Sequence, residues 1–314
     1  MPFFSVVISL FNKEKSIGNT IKSVLDQTLM DYEIIVINDG STDKSEEIVR
    51  KFKNEKIKLF TTKNQGVSQA RNLGIEKSSG ELIAFLDADD FWFPEHLQRL
   101  QELYFLFPDC GFYATNYEMY FSSKKTIPNV FIDIPKTEWR GIVTDFFKSS
   151  MINRITLTSA IAVPKNIFYE IGNFNPKITL GAGEDIELWI RIALKYEVAF
   201  DNKVSTRYQL DSENRVSLTK TLTRNFAKFE QFEVEEKTNL SLKKFLDLYR
   251  TEFAIKHKLA GDLQTFEYYK KQINPKNIPK KTKFIMKLPV FVMRNLFTFK
   301  KFLERKNIII SIYN

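Results

Sequence analysis

Residues 81–90 read Glu81-Leu82-Ile83-Ala84-Phe85-Leu86-Asp87-Ala88-Asp89-Asp90. Four apolar residues, Ile83 to Leu86, run straight into three carboxylates with only Ala88 between them. A short apolar run of this kind reads as a buried strand of an α/β sheet. Ligands of open α/β sheets sit just beyond the carboxyl ends of the strands. Acids gathered there repel one another unless a cation or a hydrogen-bonding ligand answers them. The stretch therefore predicts a divalent-metal site that holds a phosphorylated ligand. The competing reading is a strand end followed by a helix cap. Pro94 suits a first helical turn, and Leu97, Leu100, Leu103, Tyr104 and Phe107 follow at helical spacing. A cap needs one acid, not three.

Towards the N-terminus the pattern alternates. Val6 to Leu10 and Ile34 to Ile37 read as strands, with a shorter one at Lys58 to Phe60. Between them, Ser16 can cap a helix bearing Ile17, Ile21, Val24 and Leu25, Ser41 opens one bearing Ile48 and Phe52, and Val67 to Glu76 forms another. Such alternation builds a parallel sheet with helices on its faces. Polar residues then end three strands, at Ser9 to Asn12, Asn38-Asp39-Gly40 and Asp87 to Asp90. No Gly-x-Gly-x-x-Gly follows the first strand and no Gly-x4-Gly-Lys-Ser/Thr occurs, which counts heavily against dinucleotide oxidoreductases and P-loop ATPases.

Beyond Phe107 the segments turn β-rich. Cys110 to Ala114 and Tyr117 to Phe121 read as strands before a turn at Ser122-Ser123-Lys124-Lys125, and Ile155 to Val163 as another closed by Pro164. Gly181-Ala182-Gly183-Glu184-Asp185 is a flexible loop entering a helix with Ile186, Trp189, Ile190 and Ala193 on one face. Two acids at a helix start are also favoured by its dipole alone.

Five segments, in order over about residues 4–200, resemble glycosyltransferase family 2: residues 5–12, 33–43, 64–74, 80–90 and 183–189. The resemblance implies the GT-A fold, a Rossmann-like and mostly parallel α/β sheet with a mixed acceptor subdomain. It also implies roles. Ser9, Phe11 and Asn12 border the nucleotide, although the family usually has Pro or Thr and Tyr at the first two positions. Asp39 accepts a hydrogen bond from the base, which favours uridine and leaves guanine and thymine open. Arg71 contacts the base or the diphosphate. Asp87 and Ala88 lie near the ribose, and Asp89 binds Mn2+ or Mg2+ bridging the diphosphate. Asp185 is the general base, with Glu184 orienting it or touching the acceptor.

That inventory is chemically coherent. Inverting sugar transfer needs a carboxylate to take the acceptor proton, whereas a nucleoside diphosphate leaves as an anion without a second acid. Structural alternatives stand beside each role: Asp39-Gly40 is a common turn dipeptide, and Arg71 could be a surface charge. No Gln-x-x-Arg-Trp follows the acidic loop, so transfer of one sugar or a few is expected rather than processive synthesis. The rival enzyme class, a nucleotidyltransferase, needs a phosphate-gripping loop after the first strand. Phe11-Asn12-Lys13-Glu14-Lys15 has lysines there but no glycines. A catalytically inactive sugar-nucleotide-binding or scaffold protein of the same fold is the second rival.

The 314 residues carry 43% hydrophobic and 27% charged side chains, ordinary globular values. The single cysteine, Cys110, excludes an internal disulfide and fits a reducing compartment. Residues 1–5 lack a basic leader and a small-residue cleavage site, so no signal peptide and a cytoplasmic location are expected. The net charge of +9 is uneven: residues 215–314 hold 22 Lys+Arg against 9 Asp+Glu, or +13, and the remainder −4. The expected organisation is a catalytic domain over 1–214 (nucleotide half about 1–92, acceptor half about 93–214) and a basic helical region over 215–314. In the latter, Leu242, Phe245, Leu246, Tyr249 and Phe253 make an amphipathic stripe. Residues 276–306 hold ten Lys/Arg, one acid and interrupted apolar groups, too broken to span a bilayer. An interfacial segment on anionic lipid at the inner face of the cytoplasmic membrane is expected, against a plain solvated helix. Nucleic acid is not expected, since no recognised binding module accompanies the tract.

Overall fold

The computed structural model describes residues 1–121, 125–216 and 219–305, with side chains to residue 300. Of the turn expected at Ser122–Lys125, residues 122–124 lie outside the described residues, as does Lys306 at the end of the basic tract. The chain forms two compact units, Met1–Thr219 and Lys220–Asn314.

The first unit begins with β1 (Phe4–Leu10), α1 (Ile17–Leu25), β2 (Tyr32–Asn38), α2 (Ser45–Lys51), β3 (Ile57–Thr61), α3 (Val67–Lys77) and β4 (Leu82–Asp87). These four strands are parallel, in the order β3-β2-β1-β4. Val6, Val7 and Ile8 of β1, Ile34 to Ile37 of β2 and Leu82 to Leu86 of β4 are all buried, as strands covered on both faces must be. Register places Ser9 opposite Ile37 on one side and Asp87 on the other, so three strand ends share one edge. Helix α3 lies close on β1: a Cβ at Gly74 would sit 2.2 Å from Val7 Cγ1.

The second half of the unit adds β5 (Phe91–Trp92), α4 (His96–Leu106), β6 (Phe112–Phe121), β7 (Lys125–Ile127), β8 (Arg140–Ile142), α5 (Phe146–Ser149), β9 (Ile161–Pro164), α6 (Lys165–Ile171), α7 (Glu184–Ala193) and β10 (Val198–Gln209). The sheet order continues β4-β9-β6-β10-β5, with β7 on β6 and β8 on β10. Strand β9 is antiparallel to both β4 and β6, whereas β6 and β10 run parallel, so the ten-stranded sheet is mixed.

Local differences from the sequence reading have identifiable causes. Helix α2 starts at Ser45, not Ser41. Ser41 Oγ accepts from Asn12 N–H and Thr42 N–H donates to Asn12 Oδ1, while Asp43 Oδ1 takes the Ser45 N–H at 2.9 Å. Ser16 precedes α1 without capping it; its hydroxyl reaches back to the Lys13 carbonyl at 3.4 Å. Phe112–Phe121 form one strand where two segments, Cys110 to Ala114 and Tyr117 to Phe121, are expected, and the run from Ile155 to Val163 is interrupted by a 3-10 turn at Thr158–Ala160. Both polar side chains of that turn, Thr158 and Ser159, are buried.

The second unit contains α8 (Glu235–Thr238), α9 (Leu240–Ala260), α10 (Leu263–Gln272), α11 (Lys280–Lys287) and α12 (Val290–Arg305). Asn239 caps α9 by accepting from Leu242 N–H at 2.9 Å, and Asp262 caps α10 through Thr265 N–H at 3.0 Å. The expected stripe, Leu242 to Phe253, is buried throughout. On α11 and α12, Thr282, Met286 and Met293 are buried while Phe284, Phe291 and Leu296 face outward. Among the described residues no helix is long and apolar enough to cross a membrane.

Candidate active site

The three acids after β4 meet three different fates. Asp87 Oδ1 accepts from Arg71 Nη2 at 2.8 Å. Asp89 Oδ2 accepts from Lys13 Nζ at 2.7 Å and from the Ser212 hydroxyl. Asp90 is fully buried, taking the Ser159 hydroxyl at 2.5 Å on Oδ2 and the Gln209 N–H at 3.0 Å on Oδ1. Burial, then the neighbouring Asp89 and Asp87, hold the Asp90 carboxyl well above its usual range, against the pull of the Ser159 hydroxyl and the Gln209 N–H. The turn itself is pinned by Thr20, whose hydroxyl donates to the carbonyls of Ala88 at 3.0 Å and Asp90 at 2.9 Å. Two resident cations thus answer Asp87 and Asp89, while burial disfavours charge on Asp90, so self-repulsion alone does not demand a foreign ion.

Arg71 connects the two halves of the unit. It projects from α3 and is 5% exposed. Besides its bond to Asp87, its Nη1 lies 3.9 Å from Glu184 Oε1 at the start of α7, too far for a hydrogen bond. Burial opposes the guanidinium charge, but Asp87, Glu184 and Asp185 outweigh it and raise the pKa. The buried Arg71 Nη1 and Glu184 Oε2 have no hydrogen-bond partner among the described residues. Burial, reinforced by Asp185, pushes the Glu184 carboxyl up to about 7, against the pull of Arg71. Asp185 is half-buried, and its Oδ1 accepts from the Ile186 N–H at 2.8 Å.

Asp39 sits apart from this cluster. Its two oxygens accept the N–H groups of Gln65 and Gly66, each at 2.8 Å, and fix the approach to α3. Burial raises its pKa, offset in part by those N–H groups and by Thr62. Oδ1 also accepts from the Thr62 hydroxyl at 3.5 Å, so Oδ2 is the oxygen that retains a further lone pair, and a cleft of about 470 Å³ opens beside the carboxylate, lined also by Thr62, Gln65, Gln69 and Asn72. Gly40 holds φ +73°, and a Cβ there would meet Asn64 N at 2.7 Å. Ser9 is half-buried at the end of β1, Phe11 is 42% exposed, and Asn12 turns the chain at φ 51°.

Lys13, Ser159 and Ser212 are absent from the residues implied by the family resemblance. Lys13 carried a signal, a cation just after the first strand, whereas Ser212 comes into place only through β10.

Among the described residues no three His, Cys, Asp or Glu side chains converge as a complete metal cage. The donor chemistry nevertheless suits a hard cation. Mg2+ is commonly held by one or two carboxylates while substrate phosphates and water complete its shell, and Asp89 uses only Oδ2 for its bonds within the chain.

Residues 5–161 match the model of glycosyl transferase family 2. An uncharacterized glycosyltransferase of Rickettsia bellii is 33% identical over 220 residues, covering 67% of this chain and 29% of the relative. The cholesterol galactosyltransferase of Borreliella burgdorferi is 43% identical over 88 residues, 27% of this chain and 25% of that protein. The chain spans about a third of the length of the first curated relatives it matches. A crystal structure of S. aureus TarS 1–349 in complex with UDP-GlcNAc superposes with a TM-score of 0.58 at 18% identity, covering 87% of this chain and 93% of that one.

Proposed function

The chain belongs to glycosyl transferase family 2, and from that premise we propose that it transfers a sugar, with inversion, from a UDP-sugar to a glycan or lipid-linked glycan. The observation that carries this reading is the Asp87–Arg71–Glu184 connection, which links the nucleotide edge of the sheet to the helix that bears Asp185.

In this scheme residues 1–214 form the catalytic domain. Asp39 accepts from the base, supported by the spare lone pair on its Oδ2 and by the UDP-GlcNAc bound to a protein of the same fold. Ser9, Phe11 and Asn12 flank the nucleotide, and Asp87 and Ala88 lie near the ribose, with Asp87 oriented by Arg71. Asp89 would hold Mn2+ or Mg2+, which supplies charge neutralisation to the departing diphosphate. Asp185 takes the proton from the acceptor hydroxyl as its oxygen attacks the anomeric carbon. Glu184, anchored beside Arg71, fixes the start of α7 and with it the position of Asp185.

A panel of UDP-, GDP- and TDP-sugars with Mn2+, assayed for slow donor hydrolysis and thermal stabilisation, tests the reading. UDP-sugars should stabilise the chain. Silence from every donor with folded protein refutes it.

The basic region supports action at the inner face of the cytoplasmic membrane. Phe284, Phe291 and Leu296 are exposed on helices that also carry Lys280, Lys283, Lys287 and Arg294. Basic helices with outward aromatics favour anionic headgroups. Co-sedimentation with anionic but not neutral vesicles is the expected result; equal partition between the two refutes the membrane placement.

A further inference from the structure

We propose that Lys13 binds the diphosphate of the donor and is a catalytic residue of the transfer, an inference that rests on the donor reading above. The backbone of Lys13 is fixed: its N–H donates to Ser45 Oγ at 2.8 Å, and its carbonyl accepts from Ile17 N–H at 2.9 Å and Ser16 N–H at 3.1 Å. From that anchor the side chain reaches the mouth of the sheet and is itself 8% exposed. Its ammonium donates to Asp89 Oδ2 at 2.7 Å and to the main-chain carbonyl of Glu213 at 2.5 Å. An ammonium has three N–H donors and no acceptor. The third has no partner among the described residues.

The Glu213 contact belongs to a strap after β10. Lys15 N–H donates to Glu213 Oε1 at 2.7 Å, Asn214 Nδ2 donates to the Asn12 carbonyl at 2.9 Å, and the Ser212 hydroxyl donates to Asp89. Its hold on Lys13 is through a neutral carbonyl, a weaker partner than a phosphate oxygen. A diphosphate arriving at Asp89 offers anionic oxygens to the unused donor and in place of the carbonyl. Lys13 then neutralises charge that grows on the bridging oxygen as the bond from sugar to diphosphate breaks. A cation aimed where charge develops is worth most in such a water-poor site. Lysine serves here as a point charge, the role it plays on phosphates elsewhere.

The test is calorimetric titration of the full chain with uridine, guanosine, thymidine and their diphosphates, in EDTA and again in Mn2+. For the parent, one diphosphate should bind more tightly than its nucleoside. Lys13→Met should weaken that diphosphate about 10- to 100-fold in both conditions while leaving the nucleoside unchanged. Asn214→Ala, which loosens the strap and keeps the ammonium, should retain the parent preference. If Lys13→Met does not fold, Lys13→Gln, which keeps a donor for the Glu213 carbonyl, serves instead. A Lys13 variant that binds the diphosphate as the parent does overturns the inference. A parent that prefers no diphosphate over its nucleoside overturns the donor reading itself.

Discussion

Replacing Glu184 by Gln should change how stability depends on pH, and the sign follows from the site. Glu184 ionises at about 7 in the folded chain, against 4.5 for the free side chain, because burial and Asp185 oppose its charge more than Arg71 favours it. The folded state therefore holds this proton more tightly than the unfolded state does. Its contribution is fully present below pH 4.5 and is lost as pH rises through 7. Between pH 5 and pH 8 the loss integrates to about 2.5 kcal/mol. Glutamine keeps the shape and carries no titrating proton, so Glu184→Gln should gain about that much relative to the parent over the same interval. In a unit of this size the difference amounts to about 5–10 °C in melting temperature. All three tryptophans, Trp92, Trp139 and Trp189, lie in residues 1–219, so intrinsic fluorescence reports this unit separately from the helical one. Parallel melting curves for parent and variant across pH 5 to 8 would refute the assignment of a raised carboxyl at this position.

Three further outcomes are expected. Asp185→Asn should lower kcat by about 10²- to 10⁴-fold with the donor affinity intact, measured by turnover beside calorimetry; turnover within a few-fold of the parent removes the general-base role. Asp89→Ala should abolish the enhancement of UDP binding by Mn2+ and leave uridine binding unchanged, and an undiminished Mn2+ effect moves the metal elsewhere. Burial holds His96 down to about 3, so it folds neutral, and stability present above pH 6.5 is lost as pH falls towards 3. Between pH 7 and pH 4 that amounts to about 3 kcal/mol, which His96→Gln should largely remove from the acid limb of a melting profile.

The first four strands were readable because they are continuous apolar runs, and register fixes what such runs carry at their ends. Val6 to Leu10, Ile34 to Ile37 and Ile83 to Leu86 each end in polar residues, and adjacent pairing brings those ends together. Pairing in the second half depends on partners distant in sequence. Nothing local announces that Ile161–Pro164 lies antiparallel between β4 and β6, or that Ser159 interrupts the run to reach Asp90. The charges teach the same lesson. From the sequence, Asp87, Asp89 and Asp90 look like a demand for a metal. In the fold, Arg71 meets the first and Lys13 the second, and the third is buried against the Ser159 hydroxyl and the Gln209 N–H, its pKa raised. A string of acids shows where charge is concentrated, but the identity of its counter-charges is settled by segments dozens of residues away.

The seat of α3 on β1 has a consequence for redesign. Arg71 stands three residues before Gly74 on the same helix, and its 2.8 Å reach to Asp87 depends on how near that helix lies to Val7. Any bulkier residue at Gly74 would act as a shim under the helix, tilting the guanidinium off its target without touching the cleft. Any reshaping of the cleft walls therefore works within a gauge set underneath them, by the one position on α3 where a missing methyl is the working part.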